Sequence, residues 1–194
     1  MEQVKNEFRS AFTGNFWGDG VSMAMLTVLM ETHNHESELA QTLSVLVSGA
    51  VQGLVSDVIL LDHGSQDGTA QVADAAGCSL HSAWVLADVI RRARGEWLML
   101  LEPGARPANG WIGEVGEYVA LHQKPAVFSP ARQYRQSLLK RLGRRRSPLE
   151  KGVLIPKSLA LKLADGMTGL EPMSRKVSAS RLRAELIPAW VARR

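Results

Sequence analysis

The stretch that decides the fold runs from Asp57 to Thr69 and reads DVILLDHGSQDGT. Residues 57–61 contain a short branched apolar run, which is typical of a buried strand. Asp62 and the residues after it form a turn signal, because they combine glycines with side chains that bond to nearby backbone. A short helix is predicted over 69–76, with Ser65 or Asp67 as its cap and a glycine at 77 as its end. This order of strand, turn and helix predicts one βα unit.

The pattern continues on both sides of this unit. Strands are predicted at 26–30, 96–101, 126–128 and 152–155, and helices at 36–51, 84–93, 110–122, 156–164 and 176–186. Asn34 is a plausible cap for the helix at 36–51. Since strands alternate with helices, we expect a mostly parallel α/β sheet with helices on both faces and right-handed crossovers.

The composition favours one globular domain. The chain has 194 residues, of which 45% are hydrophobic and 22% are charged, so wholesale disorder is not expected. Residues 1–22 are predicted to be a loosely ordered leader, and 23–194 the domain. Cys78 is the single cysteine, which excludes an intramolecular disulfide and a cysteine-cluster metal site and favours a reducing, cytoplasmic location.

Three segments resemble motifs of one enzyme family. DVILLDHGSQDGT (57–69) is close to a strand end that reads Val-Val-Asp-Asp-Gly-Ser-Thr-Asp-Gly-Thr, with His63 in place of the second aspartate. VLMETHNHE (28–36) resembles Ile-Pro-Thr-Tyr-Asn-Glu, with Thr32 and Asn34 in register. RARGEWLMLLEPGARPANGW (92–111) resembles an Ala-Arg-Gly-Glu strand that leads to Asp-x-Asp and a Pro-Gly-Trp helix start.

In this order and spacing the motifs resemble the family 2 glycosyltransferases, which have the GT-A fold. The resemblance is clear over about 26–111 and fainter towards 186. It implies a nucleotide-binding half at 23–130 and an acceptor-side half at 131–194. It also implies transfer of a sugar from a nucleotide-diphosphate donor to a glycan or a lipid-linked acceptor, in polysaccharide biosynthesis.

The resemblance implies a nucleotide site at the strand ends. Thr32, Asn34, Asp62, His63 and Glu102 would line it, with Asp62 accepting a hydrogen bond from the base or the ribose. A purely structural turn at 62–65 is the alternative, because its polar residues serve a turn in either case. His63 would contact the diphosphate when protonated or would simply be solvated.

The catalytic motifs of the family are incomplete in this chain. The family holds Mg²⁺ or Mn²⁺ with Asp-x-Asp, but Glu102 and Gly104 stand there, so Glu102 is the one candidate ligand and no cofactor is expected. Arg175 and Lys176 align with the acidic positions of the catalytic base, and Glu171 is the base in another register. Arg106, Arg175 and Lys176 are the cations that would clamp a diphosphate.

Basic residues crowd the segment 132–146. A solvated helix, a helix on an anionic membrane surface and a site for an anionic acceptor all suit this charge. Nucleic acid is not expected, because aromatic residues do not interleave with the basic ones. The sequence thus predicts a degenerate glycosyltransferase with weak or absent activity. The alternatives are a metal-independent transferase and a peripheral membrane or assembly adaptor, with the oligomeric state left open.

Overall fold

A computed structural model describes residues 26–134 and 147–193. Its strands are β1 (Leu26–Thr32), β2 (Val55–Asp62), β3 (Ser79–His81), β4 (Trp97–Leu101), β5 (Arg106–Pro107), β6 (Ala126–Pro130), β7 (Val153–Pro156) and β8 (Ser180–Ile187). Its helices are α1 (Glu36–Val51), α2 (Thr69–Ala75), α3 (Leu86–Arg92), α4 (Trp111–Leu121), α5 (Lys157–Ala164) and α6 (Leu170–Ser174). Short 3-10 turns lie at Arg132–Tyr134, Pro148–Lys151 and Ala189–Val191. The predicted leader at 1–22 lies outside the described residues.

The described strands form one mixed sheet in the order β3-β2-β1-β4-β7-β6-β8-β5. The first four of these strands are parallel, and β1 is central to them with β2 on one side and β4 on the other. The direction changes at β7, which pairs antiparallel with both β4 and β6. The parallel prediction is therefore right for the half that contains the deciding stretch, whereas the second half is mixed.

Helices cover both faces of the sheet, as predicted. On one face α1 packs Leu39, Leu43 and Leu46 against alternate residues of β1 such as Val28 and Met30. Leu29, which lies between them on β1, points to the other face and belongs to a second apolar cluster with residues of α3, α5 and α6. Successive side chains of a strand point to opposite faces, so a continuous apolar run is what a sheet buried on both faces requires.

Most of the predicted elements are confirmed, and α1 has the predicted bounds. The helix predicted over 176–186 is wrong, because this stretch contains β8. In β8 the buried residues Leu182, Ala184 and Leu186 alternate with exposed arginines, a period of two that belongs to a strand. β8 lies beside β6, parallel to it, and supplies that strand with hydrogen-bond partners from more than 50 positions away.

Within the ranges 26–134 and 147–193, no helix combines the length and the apolar character needed to cross a membrane. Most of the basic segment, 135–146, lies outside those ranges. Its predicted contact with an anionic membrane or a lipid-linked glycan stays a prediction.

Candidate functional site at the strand ends

The carboxyl ends of β1, β2 and β4 meet at one edge of the sheet. Thr32 and Asp62 are direct partners in the β1–β2 ladder, and Glu102 follows β4 immediately. In open α/β sheets ligands bind in the crevice beyond the carboxyl ends of the parallel strands. The topology therefore brings the predicted nucleotide-binding residues to the expected edge.

Asp62 organises the turn after β2. Its Oδ1 accepts hydrogen bonds from the hydroxyls of Thr32 (3.0 Å) and Ser65 (2.5 Å), and its Oδ2 accepts from the N–H groups of Gly64 (3.1 Å) and Ser65 (3.0 Å). The side chain is buried, with 6% of the residue exposed. Burial alone would raise the pKa of Asp62, but the bonds from Ser65, Thr32 and Gly64 outweigh it and hold the pKa below its ordinary value. These four bonds fill the acceptor positions of a carboxylate, so they explain Asp62 as a structural residue.

The loop after β1 is fastened to the turn after β2. Asn34 has a left-handed backbone (φ 55°), and its N–H donates to Ser65 Oγ at 2.9 Å while its Oδ1 accepts from the N–H of Gln66 at 2.7 Å. The sequence predicted Asn34 as the cap of α1, and this prediction is wrong. His35 holds the cap position and makes no side-chain cap bond, while the side chain of Asn34 bonds to the turn after β2. The cap position of α2 is held by Gly68 and not by Ser65 or Asp67 as predicted, although the Asp67 carboxylate accepts the N–H of Thr69, the first residue of that helix, at 3.0 Å.

A carboxylate on β1 joins His63 to the second half of the domain. The Nε2 of His63 lies 3.0 Å from Oε2 of Glu31, and its ring meets Trp84 edge-on at 5.4 Å between centroids. The other oxygen of Glu31 accepts the backbone N–H of Leu170, at the start of α6. The His63 side chain is 45% exposed, and the carboxylate of Glu31 already lies beside it.

The turn after β4 has no room for a second carboxylate. Gly104 has φ +94°, a conformation that side chains rarely adopt, and its N–H donates to Thr42 Oγ1 at 2.7 Å. A Cβ atom at this position would lie 3.0 Å from the carbonyl oxygen of Ala189 and 3.0 Å from Cβ of Ala192. Residues 188–193, here called the 188–193 segment, therefore occupy the space that an aspartate side chain would need.

Glu102 is the remaining carboxylate of this turn. Burial raises its pKa, the nearby Ser147 hydroxyl and Arg193 oppose the rise, and Glu150 and Glu171 add to it. Mg²⁺ and Mn²⁺ require several oxygen ligands. Within 26–134 and 147–193 no group of three or more His, Cys, Asp or Glu residues could hold a metal ion. The residues of this turn do not fit the divalent cation that the resemblance implies.

The predicted cations and the predicted base lie on two separate elements. Arg106, on β5, donates to Gln41 Oε1 of α1 at 2.9 Å, and its buried Nε has no acceptor among the described residues. Arg175, at the end of α6, pairs with Glu171 at 2.5 Å, and Lys176 follows it on the surface. The predicted base Glu171 is thus already in an ion pair with a cation one helical turn away.

A cavity of about 930 Å³ is lined by residues of β6, β8 and the three 3-10 turns. Its lining includes Ser129, Glu150, Lys151, Arg175 and Trp190. Its volume lies in the range of ligand sites in proteins. It is adjacent to the strand-end crevice, because Ser147 both lines it and faces Glu102.

The sequence did not single out Arg193. Its Nε lies 3.8 Å from Oε1 of Glu38, and its terminal nitrogen lies 3.5 Å from Nε2 of His35. It also acts electrostatically on Glu102. A lone arginine more than 90 positions from the strand-end motifs gives no sequence signal, because the return of the chain through β8 is what brings it to the crevice.

Comparison with known proteins shows the fold. Mannosyl-3-phosphoglycerate synthase from Rubrobacter xylanophilus superposes with a TM-score of 0.53 and 14% identity over 70% of this chain and 55% of that one. Glucosyl-3-phosphoglycerate synthase from Mycobacterium tuberculosis, in complex with Mn²⁺, UDP and glucosyl-3-phosphoglycerate, gives 0.53 and 15% over 91% and 73%. S. aureus TarS in complex with UDP gives 0.54 and 16% over 77% and 53%.

The similarity to these structures confirms the GT-A-like α/β fold predicted from the motifs. No family model and no curated protein sequence matches the chain. The chain spans about half the length of the mannosyl-3-phosphoglycerate synthase and of TarS.

Proposed function

We propose that this chain binds a nucleoside-diphosphate sugar at the strand ends of β1, β2 and β4, and that its sugar-transfer activity is weak or absent. Three observations support donor binding: the confirmed fold, the meeting of the ends of β1, β2 and β4 at one edge with Glu102 directly after β4, and the UDP present in two of the similar structures. A crevice at this edge suits a base and a ribose, since loop hydroxyls, amides and carboxylates there offer directional hydrogen bonds.

The packed turn at Gly104 carries the second part of the proposal. A side chain there would meet Ala189 and Ala192, so a second carboxylate has no place and Glu102 alone would face the donor. The base candidate Glu171 is paired with Arg175. Loss of a general base typically costs ~10²–10⁴-fold in rate.

Calorimetric titration with UDP and with UDP-glucose, in EDTA and again in excess Mn²⁺, tests donor binding. We expect saturable binding in both buffers, and turnover of the donor that is slower by ~10²–10⁴-fold than a typical rate of about 10 per second. His63→Ala should weaken binding, whereas His122→Ala, an exposed histidine beyond α4, should not. Absence of binding in both buffers would refute the proposal, and fast transfer that chelation abolishes would refute its second part.

Two other functions remain proposals from the sequence. A metal-independent transferase would turn over a donor in EDTA at an ordinary rate, which the same titration series measures once an acceptor is added. A peripheral membrane or assembly adaptor would use the segment 132–146. Flotation with anionic liposomes at low and high salt tests that proposal, and binding lost at high salt would support it.

A further inference from the structure

We infer that Arg193, together with His35, binds the diphosphate of the donor without a divalent cation, whereas the similar glucosyl-3-phosphoglycerate synthase structure contains both Mn²⁺ and UDP. This inference rests on the proposed donor binding. It adds a named pair of side chains, and it predicts that the cation requirement is met by the protein itself.

A segment after β8 fills the space beside Gly104. The 188–193 segment lies against the turn after β4, where Ala189 and Ala192 approach Gly104. The 3-10 turn at Ala189–Val191 thus replaces the missing carboxylate with backbone, and it carries Arg193 to the same edge of the sheet. One positive side chain therefore stands close to Glu102, on an element that excludes the usual metal ligand.

The hydrogen bond to Nδ1 of His35 decides which ring nitrogen carries the proton. Its Nδ1 accepts the backbone N–H of His33 at 3.1 Å. Burial first, and then the charge of Arg193, keeps the pKa of His35 below its ordinary value, so the ring is neutral at pH 7. A neutral imidazole that accepts at Nδ1 carries its proton on Nε2, an assignment that follows from the hydrogen bond.

Two donors consequently face each other. The Nε2–H of His35 and a terminal N–H₂ of Arg193 are 3.5 Å apart, and neither can accept from the other. An oxygen anion that bridges them would satisfy both donors at once. Guanidinium groups bind phosphate oxygens through paired, charge-assisted hydrogen bonds.

The guanidinium of Arg193 also lies near Glu38. Its Nε is 3.8 Å from Glu38, a long ion pair, and the Arg193 side chain is 47% exposed. Such a pair is worth little in water. Arginine has five N–H donors, so Glu38 can hold one edge of the group while the other edge binds a ligand.

The test uses the full chain and two probes, UDP and uridine, titrated in EDTA. Arg193→Ala should weaken UDP binding about tenfold to a hundredfold, the loss expected for hydrogen bonds to a charged group, and should leave uridine binding unchanged. Arg193→Lys should retain part of the UDP affinity, since it keeps the charge and loses the planar fork. Arg94→Ala is the matched control, because Arg94 is exposed at the opposite edge of the sheet, before β4.

These titrations distinguish failure of this inference from failure of the proposed function. If the unaltered chain binds neither UDP nor uridine, the proposed function fails. If it binds UDP and Arg193→Ala binds equally well, the inference fails while the proposed function stands. An increase of more than about tenfold in UDP affinity on adding Mn²⁺ would also overturn the inference, because it would show that the site requires a metal after all.

Discussion

Replacement of Asp62 by asparagine is the sharpest test of how the strand-end crevice is built. The change keeps the size of the side chain and removes its charge. Two of the four bonds come from the hydroxyls of Thr32 and Ser65, which can rotate and accept from the new amide. The other two come from the N–H groups of Gly64 and Ser65, which can only donate, so the amide oxygen must turn towards them.

The magnitude follows from these four bonds. A hydrogen bond to a charged group is worth about 1.5–3 kcal/mol and a neutral one about 0.5–1.5 kcal/mol. Water reaches Gly64 and partly reaches Ser65, which reduces the difference. We expect Asp62→Asn to lower the free energy of unfolding by about 2 kcal/mol, and Asp62→Ala by about 4 kcal/mol, since alanine leaves all four donors without an acceptor.

Urea unfolding at neutral pH, followed by tryptophan fluorescence, measures this difference. The pKa of Asp62 is lowered in the folded chain. The charge therefore contributes stability above the unfolded pKa, near 3.9, and that stability disappears as the pH falls through the lower folded value. The gap between the unaltered chain and Asp62→Asn should thus close in strong acid. Asp74→Asn, an exposed change on α2, is the control. An unchanged midpoint at neutral pH, or a gap that persists in acid, would refute the reasoning.

Three further predictions concern the turn after β4, its carboxylate and the cysteine. Gly104→Ala should lower the free energy of unfolding by about 2–3 kcal/mol, because Gly104 has a positive φ and close neighbours. Gly113→Ala, in open space on α4, should instead raise the free energy of unfolding by about 0.5–1 kcal/mol. Urea unfolding compares the two variants, and equal effects would contradict the packing described. Glu102→Gln should stabilise the fold at neutral pH and have no effect below about pH 4. Burial raises the pKa of Glu102, so its ionisation at neutral pH destabilises the folded state. A variant that is less stable than the unaltered chain at neutral pH would show that the charge of Glu102 stabilises the fold instead. Cys78 is partly buried, and burial raises its pKa to about 12. The folded chain should therefore react slowly with a thiol reagent at neutral pH and the urea-unfolded chain quickly. Equal rates would show that the fold does not shield this thiol.

Local sequence signals predicted the half of the sheet that contains β1, β2 and β4 well. The apolar runs of β1, β2 and β4 are continuous because both faces of that sheet are buried, and α1 has a clear helical period, so these elements follow from pattern alone. The motifs also predicted which strand ends carry polar residues. The second half was harder to predict, because β8 is half-exposed and its short alternation of arginine with small or apolar residues is compatible with a helix as well as with a strand.

The candidate site divides in the same way. The sequence located Thr32, Asp62, His63 and Glu102 at strand ends, and the absence of a ligand at Gly104 is visible in the letters alone. It did not indicate how these groups are used, because hydrogen-bond partners come from other elements. The turn at Asp62 is satisfied by β1 and by its own loop, and Glu31 reaches α6, which is 139 positions away.

By itself the sequence determined the βα order, the fold class and the edge of the sheet that carries the polar residues, since periodicity and turn chemistry are local properties. The tertiary structure decided what stands beside Gly104 and Glu102. That role belongs to Arg193 and the 188–193 segment, which reach the crevice only because β8 pairs with β6 and returns the chain there. Contacts between residues so far apart depend on how the strands are ordered in space, and no local pattern of residues encodes that order.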